Sequence, residues 1–363
     1  MSGSKVRTLV IDDSALMRKL IPRILARDAD IEVVGTAMDG SFGLKKIEEL
    51  KPDVVTLDLE MPRMDGMEAL RQIMRTHRVP VVVVSAHTQS GASATFKALA
   101  LGAFDFVPKP FDAAQAHMEG VGDQLIAKVK LAAKTGVSSQ KNFMSAEKPR
   151  VQKPAQRQKR PPSRVVAIGT STGGPNALQD LLSQLPGDFP GSLVIVQHMP
   201  EGFTEMFARR LNECCAIDVK EAQSGDMLIA GRALICPGNR HIRVRHMPLG
   251  DVIVLTDEDR VNGHRPSVDV LFHSVASEFG SSAIGLLMTG MGEDGAEGLG
   301  RIKEYGGLTV VQDEMSCVVF GMPKTAIERG YAMRVVSLDA LANLLVRHCC
   351  TSAKEWAQAI GHV

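Results

Sequence analysis

A chain of 363 residues with 44% hydrophobic content is long for one core and readily fills two. Aromatic residues make up 4%, with the single tryptophan Trp356, which argues against stacking platforms for bases or sugars; a net charge of +1 selects no partner. The N-terminal MSGSKVRTLVIDD lacks a charged-then-apolar leader pattern, and no apolar run approaches the roughly 18 residues that span a bilayer. Six cysteines include two adjacent pairs, Cys214-Cys215 and Cys349-Cys350, and no C-x-x-C. That pattern suits unpaired thiols in a reducing compartment, so a cytoplasmic protein without membrane insertion is expected.

Val6–Ile11, Glu32–Thr36, Val54–Leu57 and Val81–Val84 are short, β-branched and apolar on both faces. Between them Ala15–Arg27, Gly40–Glu49 and Met67–Arg75 carry helical spacing. Strands buried on both faces and separated by helices imply a parallel, doubly wound α/β sheet, with its chemistry beyond the carboxyl ends of the strands. Asp12 and Asp13 follow the first strand and Asp58 ends the third, so three carboxylates converge on one edge. Their repulsion calls for a hard cation, and an all-oxygen donor set suits Mg²⁺. Ser85 ends the fourth strand beside the same pocket, and Lys109 follows the fifth, where its charge can neutralise an added phosphoryl group. Taken singly, Asp13 could equally be the N-cap of a helix beginning at Ser14.

Between Lys134 and Arg164 there are nine Lys or Arg residues against one acidic residue, Glu147, in a stretch rich in Gln, Ser and Pro. Such a segment buries little apolar surface and is expected to be an extended linker, with a polybasic contact to an anionic partner as the alternative.

A second α/β pattern begins at Val165. Val165–Ile168, Leu193–Val196 and Ile284–Met288 are further buried strands, each running into a loop with reactive or glycine residues. The first leads into Gly169-Thr170-Ser171-Thr172-Gly173, a G-x-S-x-G turn before a helix near Pro175. Glycines there permit a sharp turn that presents a serine hydroxyl at a helix N-terminus. The same turn could hold a phosphate, or Ser171 could merely cap the helix. His198 follows the second strand, and Asp294 lies in the glycine-rich loop after the third, where it could alternatively cap a helix near Ala296. Together Ser171, His198 and Asp294 supply a nucleophile, a general base and an orienting carboxylate. Their chain order differs from the Ser, Asp/Glu, His order of α/β-hydrolases. His241, His246, His264 and His273 lack zinc-ligand spacing.

Residues 5–130 resemble a two-component receiver domain, with Asp12, Asp13, Asp58, Ser85 and Lys109 at its acidic pair, phosphoacceptor, hydroxyl and lysine positions. The resemblance implies that Asp58 takes a phosphoryl group from a histidine kinase with the help of Mg²⁺, that Phe106 is the switch aromatic, and that the Lys109–Pro110 bond is cis. Residues 164–350 resemble the catalytic domain of the chemotaxis protein-glutamate methylesterases, the CheB family. The resemblance rests on IGTSTGGP (168–175), QHMP (197–200), PGNRH (237–241), RPSVDVLF (265–272), MTGMGEDGA (288–296) and GMPKTA (321–326). It implies an esterase that needs no cofactor of its own and acts on methylated glutamates of chemoreceptors, with deamidation of receptor glutamines as a companion activity. It also implies that the Met291 backbone N–H is the oxyanion donor, and that an unphosphorylated receiver blocks the site. Thr172 is expected to assist the geometry near the serine. Residues 131–163 are then the linker. Nothing in the sequence demands a dimer, and a monomer is expected. A nucleic-acid-binding output is disfavoured, because the output segment is about 200 residues with glycine-rich strand-end loops and the basic charge sits in the linker.

Overall fold

Strands that are apolar on both faces need cover on both sides, and both halves of the chain meet that demand in the same way. The computed structural model describes residues 4–86, 88–109, 115–136 and 160–350, and the chain divides into two compact units between Ala146 and Glu147. Most of the basic segment, the segment from Thr351 and the Lys109–Pro110 bond fall outside the described residues.

In the first unit the elements alternate: β1 (Val6–Ile11), α1 (Met17–Leu25), β2 (Ile31–Ala37), α2 (Gly40–Leu50), β3 (Val54–Asp58), α3 (Gly66–Gln72), β4 (Val81–Ser85), α4 (Gln89–Ala100), β5 (Asp105–Pro108) and α5 (Gln115–Thr135). The sheet order is β2-β1-β3-β4-β5, and every pairing is parallel. β3, β4 and β5 are buried at every position, whereas the edge strand β2 is only partly covered. The chain crosses from β1 to the edge at β2 and returns to β3, so β1 and β3 flank the switch point where such sheets hold ligands. The expected strands and helices are present, with shifts at their ends. α1 starts at Met17, so Asp13 is not its cap, and a single π-helical turn over Ile73–His77 continues α3. α5 runs to Thr135, past residue 130.

The second unit holds β6 (Val165–Thr170), α6 (Gly174–Ser183), β7 (Ser192–Gln197), α7 (Phe203–Cys214), β8 (Asp218–Glu221), β9 (Arg232–Ile235), β10 (His241–Arg245), β11 (Val252–Thr256), α8 (Val268–Phe279), β12 (Ala283–Leu287), α9 (Ala296–Glu304), β13 (Leu308–Gln312), α10 (Met322–Glu328), β14 (Arg334–Val336) and α11 (Leu338–Cys349). Seven parallel strands are ordered β14-β13-β12-β6-β7-β9-β8. β6 and β7 are buried throughout, and the edge strand β14 is exposed. α6 packs with α7 and α11, and α8 packs with α9, which meets α10. Phe189, Phe203, Phe207 and Phe272 are fully buried, and truncating any one to alanine costs about 3–5 kcal/mol. β10 and β11 form an antiparallel hairpin outside the sheet, which the expectation of a parallel α/β unit did not include. Its alternation of buried and half-covered residues is too short to separate from loop by periodicity.

The chain leaves β6 outward through β7, β8 and β9, then crosses back to β12 on the other side of β6. The switch point therefore lies at β6, and the loops after β6, β7 and β12 open onto one crevice. Those loops carry Ser171, His198 and Asp294.

Candidate active site and phosphoacceptor pocket

In the second unit, parallel register pairs Thr170 with Gln197, so the next residues, Ser171 and His198, leave adjacent strands side by side. Two bonds lock them there. The His198 N–H donates to the Thr170 carbonyl at 3.1 Å, and Gln197 Nε2 donates to the Ser171 carbonyl at 2.9 Å. The Ser171 N–H in turn donates to the Thr289 carbonyl at 3.0 Å, tying the turn to the loop after β12. Ser171 does not cap α6. The cap residue is Gly173 in the left-handed region (φ +79°), and a Cβ there would lie 2.6 Å from Val318 Cβ. The half-buried Ser171 side chain is thus left for other work.

His198 is buried to 8% side-chain exposure, and its Nε2 lies 2.8 Å from Asp294 Oδ2. Asp294 does not cap α9, whose cap residue is Gly295. Its carboxylate is almost fully enclosed and accepts from Ser267 Oγ (2.7 Å), the Val268 N–H (2.7 Å) and Asn262 Nδ2 (2.9 Å) besides His198. Burial pushes its pKa up, but the hydrogen bond and charge of His198, with Ser267 and Val268, outweigh it and hold the carboxyl well below its usual range. A carboxylate on Nε2 fixes the proton there, so Nδ1 is the basic nitrogen. That Nδ1 is buried and has no hydrogen-bond partner among the described residues. An orphaned buried acceptor costs about 1–3 kcal/mol.

The loop after β12 comes close to the turn that carries Ser171. A Cβ on Gly290 would sit 2.8 Å from Ser171 Cβ and 2.2 Å from Met322 Sδ, so only glycine fits. Met291, the next residue, is 46% exposed, and no backbone acceptor for its N–H occurs among the described residues. Thr172 is buried, and its carbonyl accepts from Thr289 Oγ1 at 2.9 Å. Thr289, Gln197, Asn262, Ser267 and His264 all touch this centre without having been singled out from sequence. The His264 ring stacks on His198 with centroids 3.9 Å apart and planes 8° from parallel. Only proximity in the fold could have selected it from the histidines without metal-ligand spacing.

In the first unit Asp12, Asp13 and Asp58 place carboxylate oxygens within 4.8 Å of one another. Lys109 Nζ lies 2.6 Å from Asp58 Oδ2 and 3.8 Å from Asp12 Oδ2. Burial raises the Asp12 pKa to about 6 despite Lys109, with Asp58 adding to the rise, and burial also raises Asp58 against its bond to Lys109. Asp12 Oδ2 is buried without a hydrogen-bond partner among the described residues, as an oxygen kept for a cation would be. Ser85 and Thr95 hydroxyls are 2.7 Å apart and both reach the Gly91 carbonyl, at 3.2 and 2.8 Å, so Ser85 is engaged by α4. Thr95 was not singled out from sequence. Phe106 is buried, edge-on to Phe96 at 6.4 Å, with Lys128 Nζ 5.4 Å from its ring centroid. No helix among the described residues is long and apolar enough to cross a membrane, and the six cysteines are free thiols.

Comparison with known proteins matches each of the two units to a family. Residues 166–345 match the CheB methylesterase family and residues 8–119 the response regulator receiver domain. The chain is 62% identical over 353 residues to a protein-glutamate methylesterase/protein-glutamine glutaminase of Koribacter versatilis, covering 95% of this chain and 97% of that one. It is 43% identical to the protein of the same name from Pyrococcus horikoshii, with 96% and 94% covered. The crystal structure of the Thermotoga maritima CheB methylesterase catalytic domain superposes with a TM-score of 0.50 at 39% identity, covering 51% of this chain and 97% of that one. With that identity over almost its whole length, and both family matches on the units that carry the two sites, the chain belongs to the CheB methylesterases, with a response-regulator receiver domain at its N-terminal end.

Proposed function

We propose that the second unit hydrolyses methyl esters of glutamate side chains on chemoreceptors, with Ser171 as nucleophile, His198 as base and Asp294 as the orienting carboxylate. The observation that carries this is the buried His198 Nδ1, without a partner, beside Ser171 on the neighbouring strand end, while Nε2 is held by Asp294. Ser171 Oγ attacks the ester carbonyl as its proton passes to Nδ1. The carbonyl oxygen becomes an oxyanion facing the Met291 N–H, with Thr172 and Thr289 holding the two loops in register. Collapse expels methanol, which takes the proton from His198. Water activated by the same nitrogen then releases glutamate from the acyl-serine. A glutamine amide follows the same path with ammonia leaving. This chemistry needs no cofactor.

The first unit, residues 5–130 closed by the rest of α5, is the switch, joined through the basic segment within 131–163 to the catalytic residues 164–350. Asp58 is the phosphoacceptor and the histidine kinase of the pathway its donor. Asp12, Asp13 and Asp58 would hold Mg²⁺, which supplies charge neutralisation for phosphoryl transfer when bound. Lys109 pairs with the added phosphate, and Ser85 and Phe106 report it. The protein works in the cytoplasm, in keeping with its six free thiols, and as a monomer, since one chain supplies every group in both sites. Methanol release from membranes bearing methylated receptor is the direct assay. Wild-type turnover with an inert, folded Ser171→Ala is expected, and turnover by Ser171→Ala removes the reading.

A further inference from the structure

Residues Val261–His264 form a tight turn closed by two reciprocal backbone bonds, Val261 N–H to the His264 carbonyl at 3.1 Å and His264 N–H to the Val261 carbonyl at 2.9 Å. Its two central residues both have positive φ, Asn262 at +53° and Gly263 at +77°, as an Asn-Gly type I′ turn requires. The turn belongs to no sheet, and Asn262 and Gly263 are exposed, so it adds little to the core. Both of its polar side chains nevertheless point at the catalytic pair. Asn262 Nδ2 donates to Asp294 Oδ1 at 2.9 Å and to Asp269 Oδ2 at 2.6 Å. The His264 ring lies flat on the His198 ring.

We propose that the Asn262-Gly263 turn is a two-pronged positioning device for the esterase, in which Asn262 orients Asp294 and the His264 ring fixes the plane of His198. The inference rests on the assignment of Ser171, His198 and Asp294 given above. Asn262 shares Oδ1 with Ser267 Oγ, while Oδ2 accepts from the Val268 N–H and His198 Nε2, so the turn supplies one of the bonds that fix the carboxylate plane. A parallel ring covering one face of His198 restricts its rotation, and so would hold Nδ1 in place while it takes the proton of Ser171, the residue at the neighbouring strand end. The groups acting on His264 are His198, Asp294 and Arg260. Burial first, then the charge of His198, lower its pKa to about 4, so at neutral pH it adds no charge opposing the proton that His198 accepts. His264 and Asn262 are positioning residues, since both act through the pair.

The test measures kcat and KM for methanol release by the full-length phosphorylated protein on methylated receptor membranes. His264→Ala is expected to lower kcat at least about tenfold with KM within about twofold, because misplacement of a catalytic group acts on the barrier and not on binding. His264→Phe, a flat ring that neither titrates nor hydrogen-bonds, should recover most of that loss. A Cβ at Gly263 meets nothing within 4 Å, so Gly263→Val perturbs only the turn backbone. It should reproduce the kcat loss, and Gly263→Asn, which tolerates positive φ, should restore it. Wild-type kcat in folded His264→Ala, a loss confined to KM, or His264→Phe no better than alanine each overturns the proposal. Ser171→Ala separates the two levels. If it is inert while His264→Ala is unaffected, the turn alone is wrong; if it turns over, the triad is wrong.

Discussion

Asp294 is a buried carboxylate that keeps its charge because His198, Ser267, Asn262 and the Val268 N–H all donate to it. Asp294→Asn keeps the shape and presents an NH₂ where acceptors are needed. Turnover should fall by roughly 10³-fold or more, through the wrong His198 tautomer. Native circular dichroism with near wild-type turnover would refute that role. His264 supplies a pH dependence with a definite sign. Its folded pKa of about 4 lies below the ordinary 6.5, so between these values the unfolded chain binds a proton that the native one refuses. Its contribution is complete above pH 6.5 and is lost as pH falls towards 4. The melting temperature of the catalytic unit should therefore drop less over this window in His264→Gln than in wild type. Parallel curves for the two proteins would contradict the assignment.

At the scale of elements, the site is made by loops leaving β6, β7 and β12, and their spacing depends on close backbone approach. Gly290 is where the approach is tightest, and a methyl group there meets both Met322 and Ser171. Gly290→Ala should cost about 1–3 kcal/mol, the usual range for overpacking, and reduce turnover by more than the stability loss explains. Gly225→Ala is the reference: it also replaces a loop glycine, at φ +87°, but its Cβ meets nothing within 4 Å. It should cost backbone strain and leave turnover intact. Equal activity losses in the two variants would show that crowding at Ser171 is not the cause. In the first unit the Ser85–Thr95 pair ties β4 to α4, a link that the position of Thr95 within a helix does not signal.

At the scale of the whole molecule, two doubly wound sheets carry one chemistry each at a switch point. Acetyl phosphate with Mg²⁺ should phosphorylate wild type and leave Asp58→Asn unmodified, as read by intact mass or on a Phos-tag gel; an equally modified mutant would refute Asp58 as acceptor. A fragment from 164 onward should release methanol faster than unphosphorylated full-length protein, and a fragment no faster would remove inhibition by the receiver. The strands β1–β4, β6, β7 and β12, the two-unit division and the residues at those strand ends were legible in the sequence, because burial on both faces leaves continuous apolar runs and parallel topology sends their ends to one edge. Ser171, His198, Asp294, Asp12, Asp13, Asp58 and Lys109 follow from that rule. Helix ends, the outer strands β8, β9, β13 and β14, the hairpin β10–β11 and the dismissal of Asp13, Ser171 and Asp294 as caps required the backbone itself. So did the partners of the catalytic groups. Asn262, His264, Ser267 and Thr289 reach the centre from loops distant in sequence, and no local pattern encodes a contact that only the packing of separate elements creates.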